Sequence, residues 1–343
     1  MGIFDWWRRS EQRLDAENIS EELIRDATDY AIKIANPHLT VVRRYRERLA
    51  LPVEATIVYL RGLRAAFLPA REATPAAWNA DPAMRAFFAS PDDLIRAFSR
   101  SDELRDFFDQ APDQQEACAV LGMAVIEQKV LGMKLQGDVI QRDVAQTTLS
   151  FSDYRVRIVA RSEQELRYEI GRRVFEQLAL RALETIGGIK GRRLELQNQR
   201  ALLKARLKLL QRQSAGMKAM VAEKPLPSEA ELRKLDAQLE TNESELNALA
   251  LGPRALEREL ECLCETLNEP AKTFSVASRR VRLDSMNVLV EDEADQQSRD
   301  IEFNVFEMTG TPPLRRAFSL VRFQRADLLS RESMRKEAER SLG

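Results

Sequence analysis

Histidine is nearly missing from this sequence: His38 is the only one among 343 residues. That excludes, within one chain, a metal site built on two imidazoles and the H-E-x-x-H arrangement of metalloproteases. His38 itself follows Pro37 at an expected helix start, a place for capping or for the surface rather than for catalysis. Cysteine is scarce as well. Cys118, Cys262 and Cys264 make no disulfide framework, and free thiols suit a reducing compartment. Cys262 and Cys264 look like a ligand pair, yet two residues apart on a helix they point in nearly opposite directions. Structural zinc wants four grouped ligands. No metal and no cofactor are therefore expected.

An excess of either charge and long apolar runs are also absent. The 53 Lys+Arg and 54 Asp+Glu leave a net charge of −1, which argues against a globally basic nucleic-acid coat or an acidic tail. No run approaches the ~18–20 apolar residues of a membrane-spanning helix. The opening Met1 to Arg9 has neither an apolar h-region nor a small-residue cleavage site. Trp6 stands where a myristoylation motif needs Ser or Thr. The expected setting is cytoplasmic, with the inner face of the membrane as the other place considered.

What is present is mostly helix signal. Asn18 and Glu21 spell a capping box, after which Ile19, Leu23, Ala27, Ala31 and Ile34 recur along one helical face. Asn36-Pro37 and Leu51-Pro52 are read as breaks, because the residue before a proline avoids the helical region. Pro69, Pro75 and Pro82 are expected to keep the next stretch irregular. The pattern apolar-Arg-x-Phe then recurs at Met84–Phe87, Ile95–Phe98 and Leu104–Phe107, each copy behind a capping residue. Phe87, Phe98 and Phe107 are expected in one core rather than in an exposed groove. From Pro112 the spacing of Val120, Leu121, Ala124, Val125, Gln128, Leu131 and Leu135 predicts a longer helix. Gly122, Gly132 and Gly137 along it are read as close helix packing, since no phosphate-loop motif surrounds them.

The period changes to two between Thr147 and Ala160, which predicts a strand. Ser162 and Glu165 then form a capping box that opens a very long helix, with Ile189, Leu196, Leu203, Leu210 and Met217 seven residues apart. Gly187, Gly188 and Gly191 weaken it and suggest a hinge. Pro225 and Pro227 make a turn. A second heptad run follows on Leu232, Leu239, Leu246, Leu260 and Leu267, with Leu235, Leu249, Leu256 and Leu263 at the other core position. Asn242 and Pro253 interrupt it. Residues 161–225 hold 15 basic and 7 acidic side chains, and 226–270 hold 4 basic and 11 acidic, so the two runs suit each other as antiparallel partners. Strands return over 274–283, 287–290, 301–308 and 317–323, with a turn at Asp284-Ser285, and the strand 147–160 is expected to pair with them.

The expected fold is α+β and predominantly helical: an N-terminal helical bundle, then a small antiparallel sheet with a long antiparallel coiled-coil hairpin inserted. In residues, this is an aromatic and basic segment 1–17, a helical domain 18–146, a sheet base 147–326 containing the hairpin 163–268, and a charged C-terminal helix 327–343. The expected function is non-enzymatic: a scaffold or adaptor whose partner is another protein. Candidate contact residues are Met217, Met220, Val221 and Leu226 at the turn, and Trp6, Trp7, Arg8 and Arg9 near the start. Aromatics beside cations also suit a headgroup layer, so recruitment to a membrane surface is the alternative. Nucleic acid is a second alternative. The run Lys190 to Lys224 is strongly basic, but it lacks the aromatics that stack on bases.

Overall fold

The computed structural model describes residues 19–136, 139–215, 229–248, 253–290, 298–310 and 312–334. It is a mixed, predominantly helical α/β protein with one six-stranded sheet. Helix α1, Glu21–Ala35, is capped by Ser20, whose side chain accepts from Leu23 N at 3.2 Å. That corrects the expected cap, Asn18, which lies outside the described residues. After a 3-10 turn over Pro37–Val41, helix α2 runs through Tyr45–Ala66 without breaking at Pro52. A proline inside a helix lacks the N–H owed to the carbonyl four residues back, here Arg48 O. The Cys264 thiol donates to that carbonyl at 3.7 Å, so a tertiary contact replaces the missing helical bond.

The described residues fall into two compact units that interleave along the chain: Ile57–Phe175 with those from Pro270 on, and those up to Thr56 with Glu176–Glu269. The first unit holds the sheet. Four short helices precede its long strands: α3 Pro75–Ala80, α4 Pro82–Phe87, α5 Pro91–Ser99 and α6 Asp102–Gln110. Thr74, Asp81, Ser90 and Ser101 cap them. Pro75 and Pro82 thus open helices instead of keeping the chain irregular; a proline's fixed φ suits the first turn, where its missing N–H is not needed.

The strands are β1 Arg71–Glu72, β2 Glu116–Gln136, β3 Val139–Ala160, β4 Phe274–Leu283, β5 Arg299–Met308 and β6 Leu314–Gln324. They lie in the order β3-β2-β6-β5-β4, antiparallel except for β1, which runs parallel beside β6. The main correction is β2, where the spacing predicts a helix. Ala117, Ala119, Leu121 and Met123 alternate into the core with no exposure. The apolar Cys118 and Val120 between them hide the period of two. Gly122 and Gly132 sit at register shifts between β2 and β3, and on β3 Asp143, Asp153 and Ile158 take positive φ near those shifts and a third. The glycines therefore mark bulges, not helix packing.

β2 pairs with β3 along its length but with β6 only over Glu116–Met123, so beyond that point β3 is the one strand β2 pairs with among the described residues. The strand expected at 147–160 is thus the second half of a hairpin. Among the described residues its one isolated backbone bridge to the later segments joins Thr148 to Val288. Asp284 shapes the turn after β4, its Oδ1 accepting from Met286 N and Val288 N at 2.8 and 2.9 Å. Residues 287–290 then bond back to Arg282 O and across to β3, tying one sheet edge to the other.

One hydrophobic cluster joins α3–α6 to the sheet. Phe87 meets Phe151 and Phe303 edge-on at 4.8 and 6.3 Å, and Phe98 stacks on Phe323 at 4.9 Å. In the third repeat Phe108 is the buried ring and Phe107 only half-buried, because α6 turns the next residue toward the sheet. On the opposite sheet face Phe67, Phe306 and Phe318 gather. After β6 come a 3-10 turn, Arg325–Asp327, and helical residues 331–334.

An ion cluster across β4 and β5 gives a pH signature. Asp300 takes Arg282 Nε at 2.8 Å and Arg280 Nη2 at 2.6 Å. The hydrogen bond from Arg282, then that from Arg280, brings its carboxyl down to about 2. The folded value lies below the unfolded one, so the contribution is complete above the ordinary carboxylate range and is lost as pH falls through about 2. Melting curves from pH ~5 to ~2 should show a steeper loss for the native chain than for Asp300→Asn. Equal slopes would mean that these arginines do not hold Asp300 in solution.

Candidate interaction surface

All eight candidate contact residues, Trp6, Trp7, Arg8, Arg9, Met217, Met220, Val221 and Leu226, lie outside the described residues. What the structure places is the helices on either side of residues 216–228. Helix α7, Glu163–Ala215, is opened by Ser162, which accepts from Glu165 N at 3.2 Å, while Glu165 accepts from Arg161 N at 3.0 Å. It continues through Gly187, Gly188 and Gly191 without a break. After residue 228 come α8, Glu229–Ala248, and α9, Pro253–Asn268, the latter starting at the proline that interrupts the heptads. A short α10, Pro270–Thr273, leads back into β4.

Within the unit containing Glu176–Glu269, α7 faces α9 at one end and α8 at the other. Lys190 Nζ lies 2.9 Å from Glu259, Arg192 Nη2 3.0 Å from Glu245, and Lys204 Nζ 2.9 Å from Glu243. Leu196, Leu235, Leu246, Leu260, Leu263 and Leu267 are buried, while Leu203, Leu232, Leu239 and Leu256, which the heptads also assign to the seam, are half-buried. Asn242 is buried in the same seam and donates to Leu196 O at 3.1 Å. The hydrogen bond from Lys204, and then its charge, hold the Glu243 carboxyl below its ordinary range. Pairs as exposed as Lys204–Glu243 and Arg192–Glu245 contribute little to stability. Their value lies in selecting which helix faces which.

Glu259 is the exception, with its carboxylate almost out of solvent. Asn36 Nδ2 donates to one oxygen at 2.6 Å and Lys190 sits on the other, so the group cross-ties the end of α1 to α7 and α9. The thiols are equally committed. Burial pushes Cys118 and Cys264 up to about 11 and raises Cys262 as well, which leaves little thiolate at neutral pH. Among the described residues no group of three or more His, Cys, Asp or Glu could hold a metal ion, and no helix is long and apolar enough to cross a membrane.

One feature escaped the sequence reading. An open groove of about 650 Å³ runs along one flank of the α7–α8 pair, with Leu196, Leu203 and Asn242 among its lining residues. Leu202 stands on its rim and is 72% exposed. The signal was available: α7 carries apolar residues on two faces, and Leu180, Leu183, Leu194 and Leu202 fall outside the heptad seam and are all exposed. Comparison of the chain with known protein families, with curated proteins and with solved structures found no match.

Proposed function

We propose that the protein is a non-enzymatic scaffold or adaptor. Its helices α7 to α9 form an antiparallel coiled-coil hairpin inserted into the sheet-bearing part, and the turn between α7 and α8 is the end offered to a protein partner. The observation that carries the reading is the opposed pairing of a basic helix with acidic ones through Lys190–Glu259, Arg192–Glu245 and Lys204–Glu243. A helix pair closed on itself in this way leaves its turn as the unspent part. Met217, Met220, Val221 and Leu226 there form an apolar set flanked by basic residues, the composition of an adaptable protein contact. The same pairs engage three cations of the basic helix with intrachain carboxylates, which favours a protein partner over nucleic acid.

The test is a double substitution, Met220→Ser with Leu226→Ser. Folding should be nearly unchanged, because neither residue belongs to a core described above. Recovery of interacting proteins on the immobilised full chain should fall about tenfold or more, the scale on which loss of central apolar anchors weakens a contact. Undiminished recovery by this variant, and by a chain lacking 216–228, would remove the turn from consideration. Liposome sedimentation of the chain with and without residues 1–14 decides the membrane alternative.

A further inference from the structure

A cleft of about 170 Å³ opens where α4 meets the ends of β4 and β5. Leu283 and Ile301, both part of the core cluster, form its floor, and the exposed Arg85 and Arg299 stand on its rim. Arg299 sits on an unusual side of the sheet. It pairs with Leu283 across β4 and β5, and residues directly opposite each other put their side chains on one face. That face is the core side, where Leu283 and Ile301 are buried. Its neighbour Asp300, on the other face, already holds Arg280 and Arg282.

Arg85 reaches the same cleft from α4. Its Nη2 donates to Asn79 O at 2.8 Å, and its guanidinium lies 5.5 Å from the centre of the Trp78 ring, so other N–H groups are left to spare. Among the described residues neither Arg85 nor Arg299 has an ion pair. The carboxylate on the lining is Asp284, and its Oδ1 is taken by the backbone N–H groups of Met286 and Val288. Ser285 adds a hydroxyl that makes no hydrogen bond among the described residues.

We propose that this cleft binds a small organic oxyanion, a phosphate monoester or a carboxylate. Its charged end is gripped between Arg85 and Arg299, and its apolar body rests on Leu283 and Ile301. Guanidinium groups present forks of N–H donors that match the oxygens of either anion. The floor offers hydrocarbon alone, so it selects a ligand with an apolar part over a bare inorganic ion. A space of about 170 Å³ suits a body of one ring rather than a nucleotide. Both arginines are exposed, so the grip is weak and is screened by salt. The site goes beyond the reading of the turn, because every residue that forms it belongs to the sheet-bearing unit and none to α7–α9.

Calorimetric titration of the full chain with phenyl phosphate and with benzoate tests it. At least one should bind with a Kd of about 10 µM to 1 mM, the range open to so small a ligand, and the tighter of the two tells phosphate from carboxylate. Inorganic phosphate and acetate offer the floor little and should bind about fivefold or more weakly than their aromatic counterparts. Arg299→Ala should weaken binding about tenfold or more while melting like the parent, since that side chain has no other described partner. Arg280→Ala, on the outer face, should bind as the parent does. The rival counter-ions are the chain's own Glu291, Asp292, Glu293 and Asp295, which lie outside the described residues. If they fill the cleft, the parent binds neither probe and a chain with all four changed to amides does, which overturns the proposal. So does the absence of saturable binding below about 10 mM in both chains. Binding indifferent to Arg299→Ala, or equal for the inorganic and aromatic phosphates and for acetate and benzoate, overturns it as well.

Discussion

Replacing Phe87 by alanine is expected to cost about 3–5 kcal/mol, the range for losing a buried ring. The ring is 1% exposed on α4 and touches Phe151 of β3 and Phe303 of β5, so its loss opens a hole between the short helices and two strands at once. Tyr154 O–H also donates to Phe87 O, which ties the backbone of the same residue to β3. Denaturant titration followed by tryptophan fluorescence and by far-ultraviolet circular dichroism measures the loss. Trp78 packs against this cluster and gives its indole N–H to Phe88 O at 2.8 Å, so its emission reports the helix–sheet joint directly. Phe107→Ala, at a half-buried ring, should cost less than half as much. A Phe87→Ala cost below about 1 kcal/mol would mean that α4 does not share the sheet's core, and that the short helices form a separate bundle as the sequence suggests.

The contrast between those two phenylalanines shows what was legible and what was not. The repeat apolar-Arg-x-Phe and its caps locate three helices, because caps act within four residues and can be read locally. Which of Phe107 and Phe108 turns inward depends on where α6 meets the sheet, and that is not local. β2 failed for a related reason. Its core face is Ala117, Ala119, Leu121 and Met123, and its other face begins with Cys118 and Val120, so both faces are apolar and period two is hidden. With Leu, Met, Ala, Gln and Lys prominent in it, local preference leans toward helix, and only pairing with β3 and β6 overrides that. Strands 274–283 and 301–308 were legible because arginines and carboxylates alternate there with apolar residues. The groove was not, because heptad reading asks which residues face the seam and passes over those, like Leu202, that face away from it.

Arg325 carries the second large expectation. It directly follows β6, and its guanidinium gathers three backbone carbonyls that end α6 and the loop after it. Nη2 donates to Phe108 O and Ala111 O, each at 2.6 Å, and Nε to Gln114 O at 2.8 Å, while the group lies 4.8 Å from the centre of the Phe108 ring. The last carbonyls of a helix lack intrahelical partners, and a cation there also meets the negative end of the helix dipole. Arg167 does the same at the end of α2, donating to Arg64 O, Phe67 O and Leu68 O, so the device is used twice in this unit. Arg325→Ala removes the donors from three partly buried acceptors at once and should cost about 2–4 kcal/mol. Arg325→Lys is the informative variant. An ammonium keeps the charge but is a single point, and it cannot span carbonyls that a planar fork reaches from two nitrogens, so lysine should recover less than half of the loss. Denaturant midpoints of the three proteins decide between the two causes. If lysine restores full stability, the dipole and the charge are sufficient; if it behaves like alanine, the fork geometry of Arg325 is what joins the end of α6 to the sheet.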